Sequence, residues 1–140
     1  MRIRLAVSDD APRLFAVDPL ASREAARAQL LEKSIESGAC WVAEDGASIL
    51  GYILRDYTFY GNAFVPLLVV AEQFRRRGIG ERLLLHAVST CATEKLFTST
   101  NESNQAMRGL LAKVGFESSG VIYNLDEGDP ELVFVRRVED

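Results

Sequence analysis

The chain is predicted to fold as an α/β (α+β) protein, with a mixed sheet and helices on both faces. Three observations lead there. Seven stretches have the length and patterning of strands, and the segments between several of them carry apolar residues at helical spacing. Phe64 to Val70 is apolar almost without interruption, as expected of a strand in the middle of a sheet covered on both sides. Internal repeats, low-complexity tracts and Pro/Ser-rich linkers are absent, which fits one domain over 1–140.

Each element has its own reason. Ile3-Arg4-Leu5-Ala6-Val7 alternates and reads as the first strand. Ser8-Asp9-Asp10 can cap a short helix through Phe15, with Pro12 tolerated in its first turn. Ser22 caps a second helix rich in Ala, Glu, Arg and Leu, which ends at Gly38. Cys40 to Glu44 is a strand, followed by the Asp45-Gly46 turn, and Ser48 to Tyr57 is the next. Gly61-Asn62 marks a turn into Phe64 to Val70. After a basic glycine turn, Leu83, Leu84, Ala87, Val88 and Cys91 fall on one helical face. Leu96 to Thr100 is a strand, and Ala106, Met107, Leu110, Leu111 and Val114 repeat the helical spacing until Gly115 stops it. Phe116 to Asn124 and Leu132 to Val138 form a closing hairpin around an acidic loop. The order is β-α-α-β-β-β-α-β-α-β-β.

Composition removes several functions. The 140 residues are 48% hydrophobic and 26% charged, ordinary for a globular protein. A net charge of −4 disfavours general nucleic-acid binding. No apolar run approaches the roughly 18 residues of a membrane span. The N-terminus alternates instead of showing a signal peptide's apolar core, so a cytoplasmic location is expected. Cys40 and Cys91 are expected to be buried free thiols and not a disulfide. One histidine, and no cysteine pair at ligand spacing, argue against a zinc site. His86 shares the polar side of its helix with Arg82 and is expected to face solvent; Trp41 is expected in the core.

The informative feature is Arg75-Arg76-Arg77-Gly78-Ile79-Gly80, placed between a strand and a helix. Such a turn aims backbone N–H groups and the positive end of a helix dipole at one spot. Gly78 and Gly80 lack a Cβ, so an anion can come close to the main chain. A bound phosphate or pyrophosphate is one reading; a structural turn with a charged rim is the other. The dinucleotide fingerprint lacks its third glycine here, and the phosphate loop of nucleotide hydrolases lacks its Gly-Lys-Ser/Thr. Asp126, Glu127, Asp129 and Glu131 form an acidic focus, either a solvated loop or a site for a cationic substrate.

Val69 through Gly80, with its Arg-x-x-Gly-x-Gly core, resembles the acyl-CoA-binding motif of the GNAT N-acetyltransferase superfamily. Arg4-Leu5-Ala6 with Asp9-Asp10-Ala11, then Ile49 to Ile53, then Asn104, Ala106 and Lys113-Val114-Gly115-Phe116 resemble other segments of that family. Thr98-Ser99-Thr100-Asn101 and the Gly-Asp-Pro-Glu loop are similar to those of small bacterial members. The resemblance covers essentially the whole chain. It implies a mostly antiparallel central sheet of about seven strands and acetyl-CoA as co-substrate. The acceptor it implies is a primary amine of a small molecule or peptide. It is also compatible with a homodimer.

The resemblance further implies roles. Arg75, Arg76, Arg77, Gly78, Ile79 and Gly80 would seat the coenzyme's pyrophosphate. Leu68, Val69 and Val70 would pair their main chain with the pantetheine arm, while their side chains pack inward. Asn104 would contact the pantetheine; read from the residues alone it is equally a helix N-cap. The chemistry is attack of a neutral amine on a thioester, which needs a proton acceptor, an oxyanion donor and a proton donor for the thiolate. A main-chain N–H near Leu68 or Val69 suits the oxyanion. Many members carry a tyrosine as general acid where this chain has Leu111, and many hold a carboxylate in the fourth strand, where this chain has none. Tyr123, Ser103 or water can donate the proton instead, and a water chain to Glu131 can accept one. Tyr57, Tyr60 and Phe64 are either core or the lining of an acceptor pocket. The rival function is an acyl-CoA sensor without turnover.

Overall fold

Seven strands form one sheet in the order β1-β2-β3-β4-β5-β7-β6. The computed structural model describes residues 1–138. The strands are β1 (Arg2–Leu5), β2 (Cys40–Asp45), β3 (Ser48–Phe59), β4 (Asn62–Val70), β5 (Lys95–Asn101), β6 (Glu117–Ile122) and β7 (Glu131–Arg137). The helices are α1 (Ala11–Val17), α2 (Pro19–Arg23), α3 (Ala25–Glu36), α4 (Ile79–Ser89) and α5 (Gln105–Val114). β4 and β5 pair in parallel; the other registered neighbours, β1–β2, β2–β3, β5–β7 and β6–β7, are antiparallel. The chain clusters into two compact units, one of residues 1–55 with 67–86, the other of 56–66 with 87 onward.

In the first unit the period-two alternation of β2 and β3 sorts residues onto two faces. Cys40, Val42, Tyr52 and Leu54 share one apolar cluster with Leu14, Ala21, Leu31 and Ile35 of the first three helices. The alternate residues meet α4: the Trp41 ring lies 5.9 Å from that of His86, and Gly51 faces Leu83. Helices thus cover both faces of β2 and β3, and both strands are buried over most of their length.

One predicted helix is two. Where the pattern suggested a single helix from Ser22 to Gly38, α2 starts at Pro19 and the chain turns extended at Glu24 (φ −118°, ψ 115°) before α3. Ser22 lies inside α2 and reaches the Phe15 carbonyl at 3.4 Å. The corner is held by contacts distant in sequence. The Tyr52 hydroxyl donates to buried Asp18 at 2.6 Å, and Arg27 reaches Asp18 at 3.3 Å. β1 and the turn after it are held by Asp10, which is buried and accepts from Arg4, Arg13 and the Val7 N–H.

In the second unit all seven residues of β5 pair with β7. β6 pairs with β7 around one extra residue, Ser119, and all six of its residues are exposed. The β3–β4 hairpin turns at Tyr60-Gly61, both at positive φ (53° and 78°), as a two-residue turn of matching twist requires. That is one residue earlier than the predicted Gly61-Asn62. Phe59, Phe64 and Phe97 pack together at centroid distances of 5.0 Å beside it. α5 is capped by Asn104, whose Oδ1 accepts from Met107 N, and closed by Gly115 in the left-handed region (φ 95°). Arg136 Nε donates to the Val114 carbonyl at the same end.

Candidate functional site

The glycine turn follows directly from β4. Ala71 N donates to Leu50 O at the end of the strand, and Glu72–Phe74 makes one 3-10 turn. Arg76 (φ 66°) and Gly78 (φ 77°) then reverse the chain into α4. Two left-handed residues within three positions are what a tight strand-to-helix reversal needs, and only one of them is glycine. A Cβ on Gly78 would meet nothing within 4 Å, so the main chain there is open, and its positive φ would strain any other residue. α4 is anchored by buried Ile79, Leu83 and Leu84. The dipole of α4 adds positive potential at the turn. The three arginines are not equivalent. Arg75 Nε donates to Val70 O at 3.3 Å, and the Arg77 guanidinium lies 5.4 Å over the Phe74 ring. Arg76 sits at the left-handed crest and is exposed. A turn with open main chain, an 11-residue helix and three guanidinium groups fits a pyrophosphate.

Leu68, Val69 and Val70 are half-buried on β4. Leu67 and Val69 pack against the first unit's core, so their neighbours point the other way. β3 comes unusually close, because a Cβ on Gly51 would fall 2.6 Å from Val69 O.

The second unit places the C-terminal candidates. The loop after β6 borders a cavity of about 460 Å³ lined by Tyr123, Asn124, Asp126, Glu127, Gly128, Asp129 and Pro130. Tyr123 is two-thirds exposed. Glu131 begins β7 and registers with Asn101 and Ile122. Ser103 does not hold a ready proton: its hydroxyl donates to Asp129 Oδ2 at 2.6 Å and its N–H to Asp129 Oδ1 at 3.0 Å. Asn101 Nδ2 binds Asp126 Oδ2 and Asp129 O. Two loop carboxylates read as facing a substrate are therefore already engaged by the segment before α5. The signal for this was in the sequence, as hydrogen-bond donors at 101–104 and acceptors at 126–129, but no spacing rule links segments 26 residues apart.

The aromatic candidates divide. Phe64 stacks on Phe59, Tyr57 accepts from Ala92 N, and Tyr60 stands 90% exposed at the hairpin tip. None of the three lines the loop cavity. Leu111 is fully buried, with its carbonyl accepting from Phe116 N. His86 departs from expectation. It is half-buried against Trp41, and burial, then the charge of Arg55, pushes its pKa below the usual histidine value. Trp41 is itself half-buried, with the Arg55 guanidinium 4.7 Å over its ring. Both cysteines are free thiols. Cys40 is buried and its pKa pushed up to about 12 by burial, whereas Cys91 is only half-buried and contacts Thr93.

The sheet order, the parallel β4–β5 pair and a glycine turn feeding α4 define a mixed α/β fold with a candidate anion seat at the end of β4. Residues 6–116 match the model of the acetyltransferase (GNAT) family. A GNAT-family acetyltransferase from Bacillus cereus is 34% identical over 99% of this chain and 98% of its own, with a TM-score of 0.92. The chain belongs to the GNAT acetyltransferase family. Two more distant structures share the fold. A ribosomal-protein-alanine N-acetyltransferase from Brucella melitensis is 23% identical, with 98% and 99% of the two chains covered and a TM-score of 0.80. A Bacillus anthracis acetyltransferase provisionally assigned to streptothricin, solved with acetyl coenzyme A, is 19% identical over 71% of this chain and 62% of its own, with a TM-score of 0.66. No match is found among curated protein sequences.

Proposed function

We propose that residues 1–140 form one N-acetyltransferase domain that moves an acetyl group from acetyl-CoA to a primary amine of a small molecule or peptide. The observation that carries this is the Arg75–Gly80 turn, with its open main chain at Gly78 and α4 behind it. Acetyl-CoA supplies the thioester; the chain's residues bind, orient and manage protons. The turn takes the pyrophosphate through backbone N–H groups. Arg76 and Arg77 add charge-assisted bonds of roughly 1.5–3 kcal/mol each. Leu68 to Val70 offer main chain to the pantetheine arm, and an N–H near Leu68 or Val69 receives the oxyanion. Asn104 uses its Oδ1 as the α5 cap, so its NH2 is the group that faces a pantetheine carbonyl. The amine nitrogen forms its bond to the acyl carbon, the carbon–sulfur bond breaks, and the thiolate takes a proton.

Among Tyr123, Ser103 and Glu131, the exposed phenol of Tyr123 is the better proton donor, because Ser103 already donates to Asp129. Glu131, or water leading to it, accepts the amine's proton. The loop's remaining carboxylate surface favours a cationic acceptor, with Tyr57, Tyr60 and Phe64 as the aromatic alternative. Thiol release from acetyl-CoA across a panel of amines, amino acids and peptides tests the reading. Turnover with at least one amine is expected. Tight coenzyme A binding with no turnover on any acceptor would replace the enzyme with a sensor, and intact coenzyme A affinity in a bulky Gly78 variant would remove the turn from the site.

A further inference from the structure

We propose that Asp129 is a positioning residue for acetyl-CoA binding: by holding Ser103 it sets the start of α5 and the orientation of Asn104. The inference rests on the assignment of Asn104 to the pantetheine arm made above.

Five hydrogen bonds run from 101–104 to 126–130. Ser103 N and Oγ both donate to the Asp129 carboxylate, Asn101 Nδ2 to Asp126 Oδ2 and to Asp129 O, and Glu102 N to Pro130 O. Every donor lies in the segment that launches α5, and every acceptor in the loop before β7. The Asp129 carboxylate takes both available donors of Ser103, which fixes that residue's backbone and side chain together. Asn104 comes next in the chain. Its N–H donates to Asn101 O at 3.0 Å, and its Oδ1 accepts from Met107 N at 3.1 Å. A backbone N–H can only donate, so the Met107 bond settles which way the Asn104 amide is turned and leaves its NH2 outward. Asp129 therefore acts on the proposed cofactor contact through one intervening residue, without touching the cofactor. Its charge also lies beside the N-terminus of a 10-residue helix, where a carboxylate is favourable.

The arrangement separates two roles for the loop. If Asp129 faced the amine directly, its loss would weaken the acceptor and spare coenzyme A. As a positioning residue, its loss loosens Ser103 and Asn104 and weakens coenzyme A, with no acceptor present. Isothermal titration calorimetry with coenzyme A alone distinguishes these. Wild type, D129A, D129N and S103A are compared, with thermal unfolding recorded for each. D129A should raise the Kd about tenfold, or 1.4 kcal/mol. D129N should recover most of this, because its Oδ1 still accepts from the Ser103 N–H and its NH2 can donate to the Ser103 hydroxyl. S103A keeps the backbone bond and should fall between the two. A structural role alone would lower the melting temperature of D129A without this graded order of Kd values. A Kd for D129A within twofold of wild type, or no rescue in D129N, overturns the proposal. If D129A does not fold, a Kd for S103A equal to wild type overturns it. Wild type failing to bind coenzyme A would remove the cofactor reading itself, and this inference with it.

Discussion

Replacing Gly51 by alanine tests a close backbone approach in the first unit. The new Cβ would lie 2.6 Å from Val69 O and 3.2 Å from Val70 Cα, with Leu83 Cδ1 at 3.5 Å on another side. The first distance is 0.4 Å inside the 3.0 Å that real Cβ contacts respect, and 0.8 Å inside ordinary contact at 3.4 Å. Two of the three atoms are backbone, so no side chain can rotate away. Either β3 or the end of β4 must shift. Overpacking of this kind costs about 1–3 kcal/mol, offset in part by roughly 0.5–1 kcal/mol from replacing a glycine in regular structure. The net, about 1 kcal/mol at mid-range and at most about 2.5 kcal/mol, should lower the melting temperature by about 4 °C for a chain of this size. Urea denaturation should show a lower midpoint at unchanged slope. Gly109→Ala is the control. Gly109 lies within α5 with nothing within 4 Å of its Cβ, so that variant should gain about 0.5–1 kcal/mol. If Gly51→Ala is as stable as wild type, the strand spacing inferred at Val69 is wrong, and so is the account of why β3 carries a glycine there.

Other perturbations probe other links. Tyr52→Phe removes the 2.6 Å bond to Asp18 inside the core, where burial, then the neighbouring carboxylate, hold the phenol's pKa above its usual value. The loss should be about 1.5–3 kcal/mol by denaturation, and a change below 0.5 kcal/mol would show that Arg27 satisfies Asp18 alone. Asp10 is held well below the usual carboxylate range, chiefly by its hydrogen bond with Arg4. Its contribution is complete above the unfolded carboxylate pKa of about 3.9 and is lost as pH falls from there toward the lower folded value. The stability gap between wild type and Asp10→Asn should therefore be constant from pH 7 to 5 and narrow below about pH 4; a gap independent of pH would contradict the ion-pair account. Arg76→Gly should relieve a left-handed arginine while removing charge. Stability rising by about 0.5–1 kcal/mol together with weaker coenzyme A binding is expected, and a less stable variant would show that the φ of 66° is not strained.

The fold and the strand-turn-helix conformation around Arg75–Gly80 were legible because their signals are local. The Arg75–Gly80 turn lies between an apolar strand and an amphipathic helix, and strand, turn and helix all formed where spacing placed them. The α2–α3 break was not legible, because a helical face persists across Glu24 while the corner depends on Tyr52, some 30 residues away. His86 was misplaced for a related reason: a polar position on a helical wheel still packs when an aromatic ring of another strand lies against it. The candidate catalytic groups were the least legible. Ser103 and the loop carboxylates carry the right chemistry, but their bonds run to one another across the chain. Local pattern cannot distinguish a carboxylate offered to a substrate from one already holding a backbone N–H.

The fully buried Leu111 has a consequence for how this enzyme can evolve. A tyrosine there would have to fit a larger ring and a hydroxyl into a filled interior at the end of α5, at an overpacking cost of about 1–3 kcal/mol. A single substitution to tyrosine at position 111 should therefore lower stability even as it supplies a phenol. Exposed positions on the loop after β6 carry no such penalty. Sequence change on that exposed loop therefore costs less stability than change at position 111.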